Sequence, residues 1–421
     1  MRRSGPNDRR ARLARRLILA AFSALAAASW PVVPGLAVPD PLAAQQAYRQ
    51  TVAMPLALPP LGAVKVGIVD TGVDGEHPDL AGRILAAQGF GGLDPLYPNT
   101  DHGTMVAGLI AAAPGNGIGI DGLSPTAQLL VASVSRPGSA LYSSSSVAAA
   151  IRWTVDRGAR VVNLSLSGSS DDSVIASAVA YAIRKGAVVV AAAGNCFPHC
   201  GRTARAQYPA SDPHVLGVGA LDDDAAAPAV AGFSIPGAVD LVAPGELLTT
   251  LYPTRNLPYT VPLGCAFVGT TACWHADSNR LWGATGTSFA TPIVSAAASL
   301  LLAARPGLTA SQVVDLLEQT ASPLAGDTGG FGVLQVGVAL ERALHGPLPT
   351  PDVGEPNEPG FEPFPLAPGR RLTATLSWGD DRSDSYDVRL PRSARRVRLL
   401  TAGSIDARVD VIRESNGHGL V

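Results

Sequence analysis

Lysine is almost absent from this chain of 421 residues. Lys65 and Lys185 are the only two, and arginine supplies the remaining basic charge. Together with abundant alanine, glycine and proline, this is a bias of composition that points to no function. Long apolar runs are missing too. None reaches the roughly 20 residues of a bilayer-spanning helix, although 47% of the chain is hydrophobic. A net positive balance is confined to one end. Residues 1–16 hold seven Arg and one Asp, so with −2 overall the remainder carries −8. An acidic body gives nucleic acid no footing, because phosphate binding demands clustered Lys and Arg. Cysteine is limited to four residues, in two local pairs, Cys196/Cys200 and Cys265/Cys273. That usage suits disulfides in an oxidising space. Three pairings are open, and the local one is the simplest. The spacing and the lack of a histidine cluster argue against zinc.

What is present begins with an export-like N-terminus. The Arg-rich residues 1–16 precede a short apolar run, Leu17 to Ala28. Small residues suited to cleavage follow at Ala26-Ala27-Ala28 and again near Ala37 and Ala44. The alternative is an uncleaved amphipathic anchor. Residues 1–37 are therefore assigned to an export signal, and the Pro- and Ala-rich residues 38–63 to a linker or short pro-segment.

From Val64 short apolar runs alternate with helix-like segments. The expected strands are Val64–Val69, Leu129–Val134, Arg160–Leu166, Ala187–Ala192, Val215–Leu221 and Asp240–Val242. The expected helices are Thr104–Ala113, Ser145–Arg157, Ser173–Lys185, Phe289–Ala304 and Ala310–Thr320. Continuously apolar strands are buried on both faces, which predicts an α/β domain over 64–345 with a mostly parallel sheet flanked by helices. Such sheets carry their ligands at the carboxyl ends of the strands, where Asp70 and Asn195 fall. Eight prolines between 346 and 369 mark an extended linker, assigned to 346–371. Period-two segments at 372–378, 386–390, 396–400 and 407–412 predict a small C-terminal β-sandwich-like domain over 372–421.

Three separated stretches carry the chemistry: Ile68-Val69-Asp70-Thr71-Gly72, Asp101-His102-Gly103-Thr104 and Gly286-Thr287-Ser288-Phe289-Ala290-Thr291-Pro292. A serine hydroxyl is a poor nucleophile at neutral pH. It needs a base to take its proton and a carboxylate to orient that base. On these motifs, residues 64–345 resemble the subtilisin-like serine proteases, whose triad runs in the order Asp, His, Ser. The resemblance implies Ser288 as nucleophile, His102 as general base and Asp70 as its orienting carboxylate. Ser288 opens a small-residue helix whose N-terminal dipole favours negative charge, and Pro292 is expected in its first turn, where a missing N–H costs little. The other histidines, and Asp74, read as structural.

By the same resemblance, Asn195 in Ala191-Ala192-Ala193-Gly194-Asn195 donates its amide to the oxyanion, together with the Ser288 N–H. An extended peptide would pair with Ser165-Leu166-Ser167-Gly168 on one side and with Gly138–Tyr142 on the other. The family usually has glycine where Ser167 stands, so its side chain is expected to narrow the cleft. Gln207 aligns near the floor of the primary specificity pocket and is expected to shrink or polarise it. A bridge between Cys196 and Cys200 would stiffen that pocket's rim. Structural Ca2+ is the implied cofactor, held by Asp79, the Asn116 amide and the carbonyls of Ile118 and Ile120, with Gln45, Gln46 or Gln50 as a further ligand. An ordinary Gly/Asn turn is the alternative. No catalytic cofactor is implied.

The expected partner is a protein or peptide substrate, and the expected state is a monomer, secreted or periplasmic and bacterial. Residues 38–63 are too short for the folded inhibitory pro-domain common in this family. Leu248–Gly283 reads as an insertion ahead of the serine motif. The C-terminal segment weakly resembles the pre-peptidase C-terminal domain of secreted bacterial proteases. Two other readings stay open: acyl transfer to an amine, giving a peptide ligase, and a non-catalytic binding protein on the same fold.

Overall fold

The computed structural model describes residues 38–349, apart from 138–141, 170–171, 197–199, 201–206, 213, 223–227, 238, 255–281, 325–329 and 331, together with four short strands nearer the C-terminus. The expected export signal and the Cys265/Cys273 pair lie outside the described residues, as do residues 138–141 of the expected cleft wall.

A nine-stranded sheet forms the centre. Its strands are β1 (Val64–Asp70), β2 (Ile84–Gly89), β3 (Ala127–Ser133), β4 (Val161–Leu164), β5 (Val188–Ala192), β6 (Leu216–Asp222), β7 (Ala229–Val230), β8 (Leu241–Pro244) and β11 (Gly332–Val333). The spatial order is β11-β8-β6-β5-β4-β1-β3-β2, all parallel, with β7 added antiparallel to β6. A separate antiparallel pair joins β9 (Leu248–Thr250) to β10 (Trp282–Ala284). The larger helices are α2 (His102–Ala111), α3 (Ser144–Asp156), α4 (Ser173–Arg184), α5 (Thr287–Ala304), α6 (Ala310–Gln319) and α7 (Val336–His345), after a single helical turn α1 (Tyr48–Thr51).

The strand alternation explains the layering. Val64, Val66 and Ile68 of β1, with Val188 and Val190 of β5, join one core with α2, α5, α6 and α7. Val69, with Val189 and Ala191, joins a second core with α3 and α4 on the opposite face. Both faces of the central strands β1 and β5 are thus covered, as parallel strands in the middle of a sheet require. Helix α5 is long and apolar enough to cross a membrane, yet 89% of it is buried inside the fold, so it is the central core helix.

Residues 38–63, expected as a linker or pro-segment, lie packed against the domain. Tyr48 and Val52, one helical turn apart, are 2% and 0% exposed in the main core. The Val52 and Ala53 carbonyls accept the N–H groups of Val336 and Gly337, and Gly62 N–H donates to the Ala303 carbonyl. With only a 3-10 turn at Ala43–Gln45 and one turn of α-helix, the segment offers too few periods for an amphipathic pattern to be read.

Toward the C-terminus, β12 (Phe364–Pro365) pairs in parallel with β13 (Tyr386–Asp387), and β14 (Arg413–Ser415) pairs antiparallel with β15 (His418–Leu420). The expected strands at 372–378, 396–400 and 407–412 lie outside the described residues.

Candidate active site

The site forms where β1 and β5 end and α2 and α5 begin. Past Asp70 the chain turns through Thr71-Gly72 directly against the first turn of α2. Only glycine at 103 permits this approach, because a Cβ there would lie 2.0 Å from the Gly72 carbonyl oxygen. Thr71 Oγ1 accepts the Gly103 N–H at 3.0 Å, satisfying one of the unpaired donors at the helix start.

His102, the first residue of α2, therefore sits beside Asp70, with Nδ1 2.8 Å from Oδ1. Asp70 is 4% exposed, and the same Oδ1 accepts the Thr71 N–H at 2.6 Å. A carboxylate here holds the proton on Nδ1 and leaves Nε2 as the basic nitrogen. Burial alone would lower the His102 pKa. The charge and hydrogen bond of Asp70 and the charge of Asp101 outweigh burial, and the pKa is held above its ordinary value. Asp101 is itself 4% exposed, and burial raises its carboxyl pKa while His102 pulls it down.

Ser288 is the second residue of α5. Every residue of that helix is buried except Ser288 and the last, Ala304, so the serine is the point where the core helix surfaces. Phe289 lays its ring 5.2 Å from the His102 ring, which brings the two helix starts together. Pro292, expected in the first turn, is the sixth helical residue and lies inside α5. It has no N–H to give the carbonyl four residues back, which belongs to Ser288. Ser165, just past β4, fills that place by donating its hydroxyl to the Ser288 carbonyl at 2.7 Å. Ser165 is in turn held by Asn163 Nδ2 (2.9 Å), and Asn163 Oδ1 accepts from Ser295 (2.8 Å), so a fully buried polar chain links β4 to α5.

Asn195 follows β5 and is exposed. Its Oδ1 accepts both the backbone N–H (2.9 Å) and the hydroxyl (3.1 Å) of Thr287. The amide oxygen is consumed, and the amide N–H group is the end left to donate. It lies over the α5 start, with Nδ2 3.3 Å from where a Cβ on Gly286 would stand.

The expected cleft residues separate into two roles. Ser165 and Leu166 are buried, 5% and 9% exposed, and support the wall from behind. Gly168 exchanges two backbone hydrogen bonds with Tyr208, which ties the wall to the segment carrying Gln207. The side chains of Ser167 and Gln207 converge on Gly194, where a Cβ would meet Gln207 Cγ at 2.6 Å and Ser167 Oγ at 3.1 Å. Gly194 has φ +98°, so glycine is required there twice over. Tyr142 donates its hydroxyl to the Ser167 carbonyl at 2.7 Å, and burial pushes that hydroxyl up to about 12. Asp74 is wholly buried, and its Oδ2 accepts the N–H and hydroxyl of Thr254.

The loop 115–121 wraps Asp79. Asp79 Oδ1 accepts from Asn116 Nδ2 at 2.9 Å, and Oδ2 from the Ile120 N–H at 3.0 Å. Asn116 Oδ1 accepts the Ile118 N–H at 2.7 Å. In this arrangement N–H donors face the carboxylate. A cation between Asp79 and Asn116 fits once the Asn116 amide turns over and presents its oxygen. Burial pushes Asp79 up to about 6, with the nearby Asp40 charge adding to it. A buried carboxylate is the feature that suits a hard divalent ion, and the Arg83 charge already acts on it. Of the three glutamines named, Gln46 is buried and spends its side chain on both backbone groups of Asp121 and on Tyr48.

The family model described as the Subtilase family matches residues 62–339. This chain belongs to the subtilases. It is 36% identical over 270 residues to thermitase from Thermoactinomyces vulgaris, covering 63% of this chain and 84% of that one. It is 34% identical over 281 residues to subtilisin E from Bacillus subtilis, covering 66% of each chain. A solved structure of fervidolysin from Fervidobacterium pennivorans, described as a keratinolytic enzyme related to subtilisin, superposes with a TM-score of 0.57 at 31% identity. That superposition covers 72% of this chain but only 45% of fervidolysin. The subtilase is thus a serine-type endopeptidase by family. Of its sequence-predicted site residues, the fold ties Asp70 to His102 and places Ser288 and Asn195 at the start of α5. Asp79 lies in the helical turn at Pro78–Leu80, and its hydrogen bonds run to Asn116 and Ile120 and not to the triad. Sequence reasoning missed Thr287, which orients Asn195, and Phe289, which packs on His102. Both lie inside the serine motif, so their positions were visible while their partners were not. Asp101, adjacent to His102, was readable as a second carboxylate.

Proposed function

We propose that this subtilase is an exported endopeptidase that hydrolyses peptide bonds through Asp70, His102 and Ser288, with Asn195 as an oxyanion donor. The observation that carries the reading is the 2.8 Å hydrogen bond from His102 Nδ1 to the buried Asp70, at the start of a helix packed against the one that presents Ser288. His102 Nε2 takes the hydroxyl proton as Ser288 Oγ attacks the scissile carbonyl carbon. The carbonyl π pair moves onto oxygen, where the Asn195 Nδ2–H and the Ser288 N–H receive the charge. Collapse breaks the C–N bond, and the leaving amine takes the proton from Nε2. Water then repeats the sequence on the acyl-enzyme, releasing the acid and restoring the serine.

The substrate lies extended along Ser165–Gly168, with Ser167 narrowing the groove and Gln207 making the primary pocket smaller or more polar. Asp79, the Asn116 amide and the carbonyls of Ile118 and Ile120 would be the ligands of a structural Ca2+. Such an ion would stiffen that loop, away from the bond that is cleaved. The Arg-rich and then apolar N-terminus supports secretion or periplasmic export, and the working unit in this reading is a monomer. The test is Ser288→Ala, assayed on casein at matched folded concentration. Activity should fall to background. Casein cleavage at the wild-type rate would refute the mechanism.

A further inference from the structure

The segment that carries Asn195 is clamped at both ends of a five-residue loop. Asn195 forms an antiparallel bridge with Ser234. Immediately after it, Cys196 N–H donates to the Phe233 carbonyl at 2.8 Å, and Cys200 N–H donates to the Gly232 carbonyl at 2.9 Å. Cys196 and Cys200 are joined by a disulfide, with Cα atoms 5.0 Å apart. The crosslink therefore binds the two points where this loop meets residues 232–234. On the other side of Asn195, Gly194 takes φ +98°, its N–H donates to Thr287 Oγ1 at 3.2 Å and its carbonyl accepts the Ile235 N–H at 3.0 Å. Asn195 stands exposed between that glycine and the crosslink, and its side chain reaches Thr287 by a single acceptor oxygen.

We infer that the Cys196–Cys200 disulfide is a positioning device for the Asn195 amide, making turnover of this protease sensitive to reduction. Reduction by a low-molecular-weight thiol transfers two electrons to the S–S bond. Two protein thiols form and two reagent thiols become a disulfide. Cys196 then keeps its backbone hydrogen bond but loses its covalent tie to Cys200, and the bridge and hydrogen bonds that hold Asn195 lose that restraint. A donor aimed at the developing oxyanion contributes in the transition state and much less in the ground state. Loosening it should lower kcat and leave KM nearly unchanged. The inference rests on the reading of Asn195 as oxyanion donor.

A double-mutant cycle tests both and separates them. Kinetics on a peptide amide are compared for the wild type, Asn195→Ala, Cys196→Ala/Cys200→Ala and the triple variant. Loss of such an asparagine costs on the order of 10²–10³ in turnover. The disulfide-free variant should lose roughly tenfold in kcat with KM within about twofold, a fraction of that full loss. Removing the cysteines from Asn195→Ala should cost nothing further, because the group they position is gone. An undiminished kcat without the disulfide, or the same tenfold loss in the Asn195→Ala background, would overturn the positioning role alone. Full activity of Asn195→Ala would overturn the oxyanion reading and this inference with it. Should the variant fold poorly, folded wild type is reduced with dithiothreitol in a Cys265→Ser/Cys273→Ser background, with alkylation mapped by mass spectrometry. Loss of kcat should then track modification of Cys196 and Cys200, and full activity after both are modified would overturn the inference.

Discussion

The Ser165 hydroxyl donates to the Ser288 carbonyl at the position where a backbone N–H would stand if residue 292 were not proline. A helix-breaking residue two turns into the core helix is thus compensated from a neighbouring strand, and the compensating group lies in the wall of the expected substrate cleft. Ser165→Ala should leave the carbonyl without a partner. An unsatisfied buried acceptor costs about 1–3 kcal/mol, so a denaturant melt should show a loss of that size. Turnover should fall with it, because the carbonyl belongs to the nucleophile's own residue.

His102 carries two flanking carboxylates, and their net effect holds its pKa above the ordinary value. A general base works only when neutral, so kcat/KM should rise as pH increases through a value above about 6.5. Asp101→Asn removes one of the charges favouring the imidazolium. The acid limb of the pH–rate profile should move to lower pH, with the plateau little changed. A profile that stays in place, or moves to higher pH, would mean that Asp101 does not act on His102.

Tyr48 shows that residues 38–63 belong to the folded domain. It is 2% exposed, accepts from Gln46 Nε2 and donates to the Thr249 carbonyl. Tyr48→Ala should destabilise the protein by about 3 kcal/mol, the usual cost of emptying a large buried site. A change below about 0.5 kcal/mol, typical of a surface substitution, would show the segment to be dispensable.

The Asp79 loop should respond to calcium. Ligand that binds only the folded state raises the melting temperature by mass action. Excess chelator should therefore lower Tm, added Ca2+ should restore it, and Asp79→Ala should abolish the difference. Identical melts with and without chelator would leave the loop as an ordinary turn.

Six of the nine strands of the central sheet were legible because burial on both faces makes them continuously apolar, whereas β7 and β11, two residues each, were too short to read. Val64–Asp70 and Val188–Ala192 match their expected spans to within a residue. Strand β2 was not legible: Ile84–Gly89 is only half-buried and its register shifts between Ile84 and Ala86, so it shows neither an unbroken apolar run nor a clean alternation. Helix α7 does bury Val336, Ala339, Leu340 and Ala343 at helical spacing, but no side chain caps its start. In the site, residue types and order pointed to Asp70, His102, Ser288 and Asn195. What could not be read was who holds them, since Thr287, Ser165 and Phe289 act through contacts between distant segments. The Pro292 position shows the same limit, because whether a missing N–H matters depends on a partner more than a hundred residues away.

Labelling with a fluorophosphonate probe, with the adduct mapped by mass spectrometry, tests the central claim most directly. The probe reports an activated serine independently of substrate preference. The account predicts one adduct per molecule, on Ser288, in the wild type, and its loss in His102→Ala. A folded wild-type protein that remains unlabelled, or an adduct on another serine, would contradict it.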